Sequence, residues 1–120
     1  MLVASEGLAV IARQGVDMQS ALQAINSSSG RSWVTMQRFP ENILTGEAYG
    51  FALGHHCKDM ENAMRAIRAP LADGTPVSAP MLELTRCLMN LARAELGSTV
   101  DHTQTVQLAA RANGIDFEKL

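Results

Sequence analysis

Apolar residues recur along this chain three and four positions apart, and nowhere in a sustained alternation of period two, so the pattern predicts helices almost throughout. The first segment, Met1 to Gln14, sets Ala4, Leu8, Ile11 and Ala12 on one face, with Gly15 placed to close it. No capping residue precedes Met1, so the chain reads as opening inside a helix, which points to truncation. Asp17 caps a second helix through Asn26, carrying Met18, Ala21, Leu22 and Ile25. Ser27 to Gly30 is a break. Ser32 then opens a short helix with Trp33 and Met36 that stops before Phe39-Pro40, and residues 40 to 50 read as a loop or short turns. The longest stripe runs from Phe51 to Asp73 through Leu53, Cys57, Met60, Met64, Ile67 and Leu71. Pro70 falls inside it and predicts a kink or an end about one turn earlier. Ser78 and Pro80 open another helix, with Met81, Leu84, Leu88 and Leu91 as its apolar face and Gly97 as its end. Asp101-His102-Thr103-Gln104 reads as a capping box before a last helix to Ala112, ended by Asn113-Gly114. The fold class is therefore all-α, a bundle of five to six helices.

Composition changes this picture in one respect. The 120 residues are 47% hydrophobic and only 18% charged. A domain this size can bury a core, but so little charge leaves apolar surface that a second domain or subunit is expected to cover. The net charge of -2 and the lack of any basic run argue against nucleic acid. No apolar run reaches the roughly 20 residues of a membrane span, and no signal-peptide pattern opens the chain. Cys57 and Cys87 are read as buried thiols of a reducing compartment, and the expected location is cytoplasmic.

Candidate chemistry is sparse. His55-His56-Cys57 sets three ligating residue types side by side, but neighbours on a helix point about 100° apart and do not readily share one ion. His102 could join them only through the fold, so no metal site is predicted. There is no G-x-S-x-G elbow, no G-x-G-x-x-G fingerprint and no phosphate loop. Lys58-Asp59 is the more informative pair. The chain has two lysines, Lys58 and Lys119, against eight arginines. Taken alone, Lys58 and Asp59 are a solvated surface pair. Yet Lys58 lies near the start of the long helix, where a cation can reach a ligand at a domain edge.

Four blocks, in order, resemble a known family. They are Glu6-Gly7-Leu8-Ala9 with Gly15-Val16-Asp17; Ser28-Ser29-Gly30-Arg31-Ser32-Trp33; Phe51 through Lys58-Asp59-Met60; and Pro76 to Pro80 followed by Gly97 and Asp101-His102-Thr103. Together they are similar to the C-terminal domain of the β-hydroxyacid dehydrogenases, the group of 3-hydroxyisobutyrate dehydrogenase, tartronate semialdehyde reductase and L-threonate dehydrogenase. The resemblance implies an all-α domain like the C-terminal domain of 6-phosphogluconate dehydrogenase, spanning residues 1–120 as a single unit. It implies a parent enzyme that moves a hydride between NAD or NADP and the CH–OH carbon of a small hydroxyacid. It also implies that Lys58 approaches the cofactor near the nicotinamide and that Phe51 and Asp59 line the cleft, with Ser29 and Gly30 near it. Trp33 is read as a packing residue. The family's Rossmann domain and its catalytic lysine, in a G-x-x-x-K-x-x-x-N stretch, have no counterpart among these residues. The chain alone is thus expected to lack catalysis, to bind dinucleotide weakly or not at all, and to have a Rossmann domain and further copies of itself as partners. The alternative is a stand-alone helical dimerisation module without catalysis.

Overall fold

The computed structural model describes residues 1–69 and 71–120. The described residues are all-α, in α1 (Leu2–Arg13), α2 (Met18–Asn26), a π-helix (Val34–Ile43), α3 (Leu53–Arg68), α4 (Pro80–Leu96) and α5 (Gln107–Asn113), with 3₁₀ turns at His102–Val106 and Phe117–Lys119. Among them the sole strand-like pairing is an antiparallel bridge between Ala52 and Asp101. The chain divides into two units, Met1–Gly50 with Thr103–Leu120, and Phe51–His102.

In the first unit, α1 packs on α2 and α5, and α2 packs on the π-helix. Its core holds Leu8, Ala9, Met18, Ala21, Leu22, Phe39, Ile43, Val106, Ala109, Ala110 and Phe117. Burying side chains such as Leu8 contributes about 1.5–3 kcal/mol each. The Phe39 and Phe117 rings meet edge to face at 5.6 Å. The Asp17 carboxylate accepts from the Ser20 N–H at 2.8 Å, the cap that the sequence predicts. Gly114 is left-handed, φ 61°, and ends α5.

The π-helix corrects the expectation of a loop from residue 40. Ser32 and Thr35 exchange hydrogen bonds, Thr35 N–H to Ser32 Oγ and Ser32 N–H to Thr35 Oγ1, which close the helix start as a capping pair. The helix then continues through Pro40, and the Leu44 N–H reaches the Phe39 carbonyl five residues back. Such a wide turn does without the amide hydrogen that proline lacks. Phe39 and Ile43 are pulled into the core as a result. Trp33 is also corrected: it is 64% exposed and is not a core residue.

In the second unit α3 packs on α4. The helix α3 is shorter than its apolar stripe. It starts at Leu53 because residues 51–54 are held by backbone bonds to the segment before α5: His102 N–H to Phe51 C=O, Leu53 N–H to Val100 C=O and Gly54 N–H to Ser98 C=O. Gly54 is needed there, since a Cβ would lie 3.0 Å from the Ser98 carbonyl oxygen. At the other end α3 stops at Arg68, and Ala69 is extended (ψ 130°), the conformation favoured ahead of a proline. Pro70 itself, and the kink assigned to it, lie outside the described residues. Leu71 falls beyond the helix and is exposed.

The helix α4 begins at Pro80 with no side-chain cap, so Ser78 does not cap it. Its buried residues are Met89 and Ala92, not the expected Met81, Leu84 and Leu91, which are 63%, 52% and 47% exposed. Leu88 is half-buried. The helix is apolar on more than one side, so periodicity does not select the face that is buried. A contact from Cys57 Sγ to the Met89 carbonyl, 3.5 Å, and the Arg86–Glu61–Asn90 cluster set its rotation instead. The expected capping box at Asp101 is a 3₁₀ turn, and Asp101 Oδ2 accepts from the Phe51 N–H at 3.1 Å.

Candidate functional site

The residues singled out by the sequence fall on both units. Phe51, Lys58 and Asp59 belong to the second. Lys58 and Asp59 are exposed on the second turn of α3, and Phe51, two residues ahead of the helix, is half-buried. Among the described residues neither Lys58 nor Asp59 is in an ion pair, while Arg68, Arg86 and Lys119 all are. Ser29 and Gly30 belong to the first unit and are exposed, in the turn after α2. That turn is held by Ser28 Oγ donating to the Ile25 carbonyl.

The second unit gathers something more around Phe51. The rings of His55, His56 and His102 lie 5.9, 6.1 and 5.7 Å from the Phe51 ring, and His56 and His102 meet edge to face at 5.3 Å. His102 is buried, with Nδ1 3.4 Å from Asp101 Oδ1. His56 is half-buried, and its Nδ1 is enclosed without a hydrogen-bond partner. Burial holds the His56 imidazole below its ordinary pKa, with His102 acting in the same direction and Asp59 opposing. Cys57 is buried against α4, and burial pushes its thiol up. Cys87 corrects the expectation of two buried thiols, because it is exposed.

No group of three or more His, Cys, Asp or Glu among the described residues is placed to hold a metal ion. No described helix is long and apolar enough to cross a membrane. The exposed groups near the start of α3 are the Lys58 ammonium, in no ion pair among the described residues, and the His55 imidazole, beside the half-buried Phe51 ring. These two donors suit an anionic ligand.

A family model described as NAD-binding of NADP-dependent 3-hydroxyisobutyrate dehydrogenase matches residues 1–109. The chain belongs to this family. No curated protein sequence matches it. The matched residues include Ser29, Gly30, Phe51, Lys58 and Asp59. They stop short of Ala110 and Phe117, which are nonetheless buried in the core of the first unit. The sequence set His55, His56 and Cys57 side by side as an unpromising metal set that His102 could join only through the fold, and it did not show the packing of the three histidines around Phe51. The signal available was the recurrence of histidine within two family blocks, and the bridge that joins those blocks is a tertiary feature.

Proposed function

We propose that this chain is the C-terminal domain of an NAD(P)-dependent dehydrogenase acting on a small β-hydroxyacid, and that it furnishes a cofactor-side wall rather than the reacting groups. Lys58 contacts the dinucleotide, and Phe51 and Asp59 line the cleft. The observation that carries this reading is a lysine without an ion pair among the described residues, exposed at the start of α3 inside the family match. A bound NAD or NADP would supply the hydride chemistry. Lys58 would place an ammonium against an anionic oxygen, and Phe51 would offer its ring face.

The partners in this reading are a Rossmann domain, which carries the nucleotide fingerprint, and further copies of the chain in a cytoplasmic homo-oligomer. The exposed Met81, Leu84 and Leu91 support an association surface. Neither the G-x-G-x-x-G fingerprint nor the catalytic lysine segment is among these residues, so the chain alone is expected to be inactive. The test is an assay of the purified chain with NAD or NADP and 3-hydroxyisobutyrate, glycerate or threonate. No change in reduced nicotinamide absorbance above buffer is expected, and turnover that persists through purification would contradict the reading.

A further inference from the structure

We propose that Asp101 is a positioning residue for the cleft wall: its carboxylate fixes where the Phe51 ring stands, and it acts on turnover through that ring. The inference rests on the reading of Phe51 as a cleft residue. Phe51 lies just ahead of α3, and the helix start has no side-chain cap of its own at Ala52. The hold on Phe51 comes instead from fifty residues away. Asp101 Oδ2 accepts from the Phe51 N–H at 3.1 Å, and the next residue, His102, donates its backbone N–H to the Phe51 carbonyl at 2.8 Å. The N–H and the C=O of one residue are thus both tied to one dipeptide.

The side chains of that dipeptide reach the ring as well. Asp101 Oδ1 faces His102 Nδ1 at 3.4 Å, and the His102 ring meets the Phe51 ring nearly at a right angle, 5.7 Å away. The Asp101 side chain is only 10% exposed. Burying a carboxylate is costly unless hydrogen bonds compensate it, and a charged acceptor holds an amide about twice as strongly as a neutral one. A neutral serine or threonine at position 52 would serve to cap a helix start. The buried charge acts one residue earlier, on the amide of Phe51, where it sets the ring and not only the helix end. Misplacing a group in a reacting site by about 1 Å costs up to about a hundredfold in rate, so a loosened Phe51 is expected to slow the enzyme.

The experiment is a double-mutant cycle on Asp101→Ala and Phe51→Ala in the domain joined to its nucleotide-binding partner. It reads melting temperature and kcat/KM with 3-hydroxyisobutyrate, glycerate and threonate. Each single change is expected to lower kcat/KM about tenfold for the acid that is turned over. The double variant should be no slower than Phe51→Ala alone, because an effect carried by the ring vanishes with the ring. Asp101→Asn, which keeps an acceptor oxygen for the Phe51 N–H, should restore most of the rate. If Asp101→Ala does not fold, Asp101→Glu takes its place in the cycle, keeping the charge but displacing it by one methylene. If Phe51→Ala slows the enzyme while Asp101→Ala lowers only the melting temperature, or if the two losses multiply, Asp101 serves the fold alone; the inference falls and the reading of Phe51 stands. A rate for Asp101→Asn as low as that of Asp101→Ala would overturn the amide as its point of action. If Phe51→Ala leaves kcat/KM unchanged, or none of the three acids is turned over, the cleft reading falls, and the inference with it.

Discussion

Single residues here divide sharply by environment even when they are neighbours in sequence. His55 is exposed and His56 half-buried; Cys57 is buried while Cys87, one helix later, is exposed. His56 has a consequence for acid stability. Burial disfavours its imidazolium in the folded chain, so the unfolded chain binds that proton more tightly. Stability is thus fully present above the ordinary histidine pKa, about 6.5, and is lost as pH falls through that value toward the lowered folded one. Melting temperature is expected to drop between pH 8 and pH 5.5, and His56→Gln, which cannot charge, is expected to drop less. Equal pH slopes for the two proteins would contradict this account of His56.

At the scale of elements, what holds the first unit together extends past the family match. Phe117 is fully buried, edge to face with Phe39, in a segment beyond residue 109. Phe117→Ala should destabilise by about 3–5 kcal/mol, as for large buried aromatics cut to alanine. Denaturant melts would show it, and a loss under about 1 kcal/mol would mean that the tail is dispensable. The elements also show what a sequence can and cannot carry. Local chemistry was legible: the Asp17 cap, the Pro80 start, the Gly97 and Gly114 ends and the α2 stripe all follow from residues within a few positions of one another. Features set by distant partners were not. The late start of α3 depends on residues 98–102, the rotation of α4 depends on Cys57 and Glu61, and the π-helix runs through a proline that by itself reads as a stop. The candidate site divides the same way. Exposure of Lys58 near a helix start follows from the pattern, whereas the His102 imidazole reaches Phe51 through the bridge between residues 52 and 101.

For the whole molecule, the low charge noted in the sequence has a structural counterpart. Val3, Trp33, Met36, Met81, Leu84 and Leu91 are among the large apolar side chains left exposed. We propose that some of these side chains are covered by association with a further copy of the chain. Light scattering is expected to give a mass well above that of one chain, and a single-chain mass at high micromolar concentration would count against self-association. In the proposed function Lys58 serves the cofactor and not the fold. Two experiments on Lys58→Ala test that role, thermal melting of this chain and kinetics of the domain joined to its nucleotide-binding partner. Stability should change by less than about 0.5 kcal/mol, as at ordinary surface positions. Loss of a charged hydrogen bond, about 1.5–3 kcal/mol, should lower kcat/KM for the dinucleotide about tenfold or more. Unchanged kinetics together with a large loss of stability would show that Lys58 is structural and contradict the account.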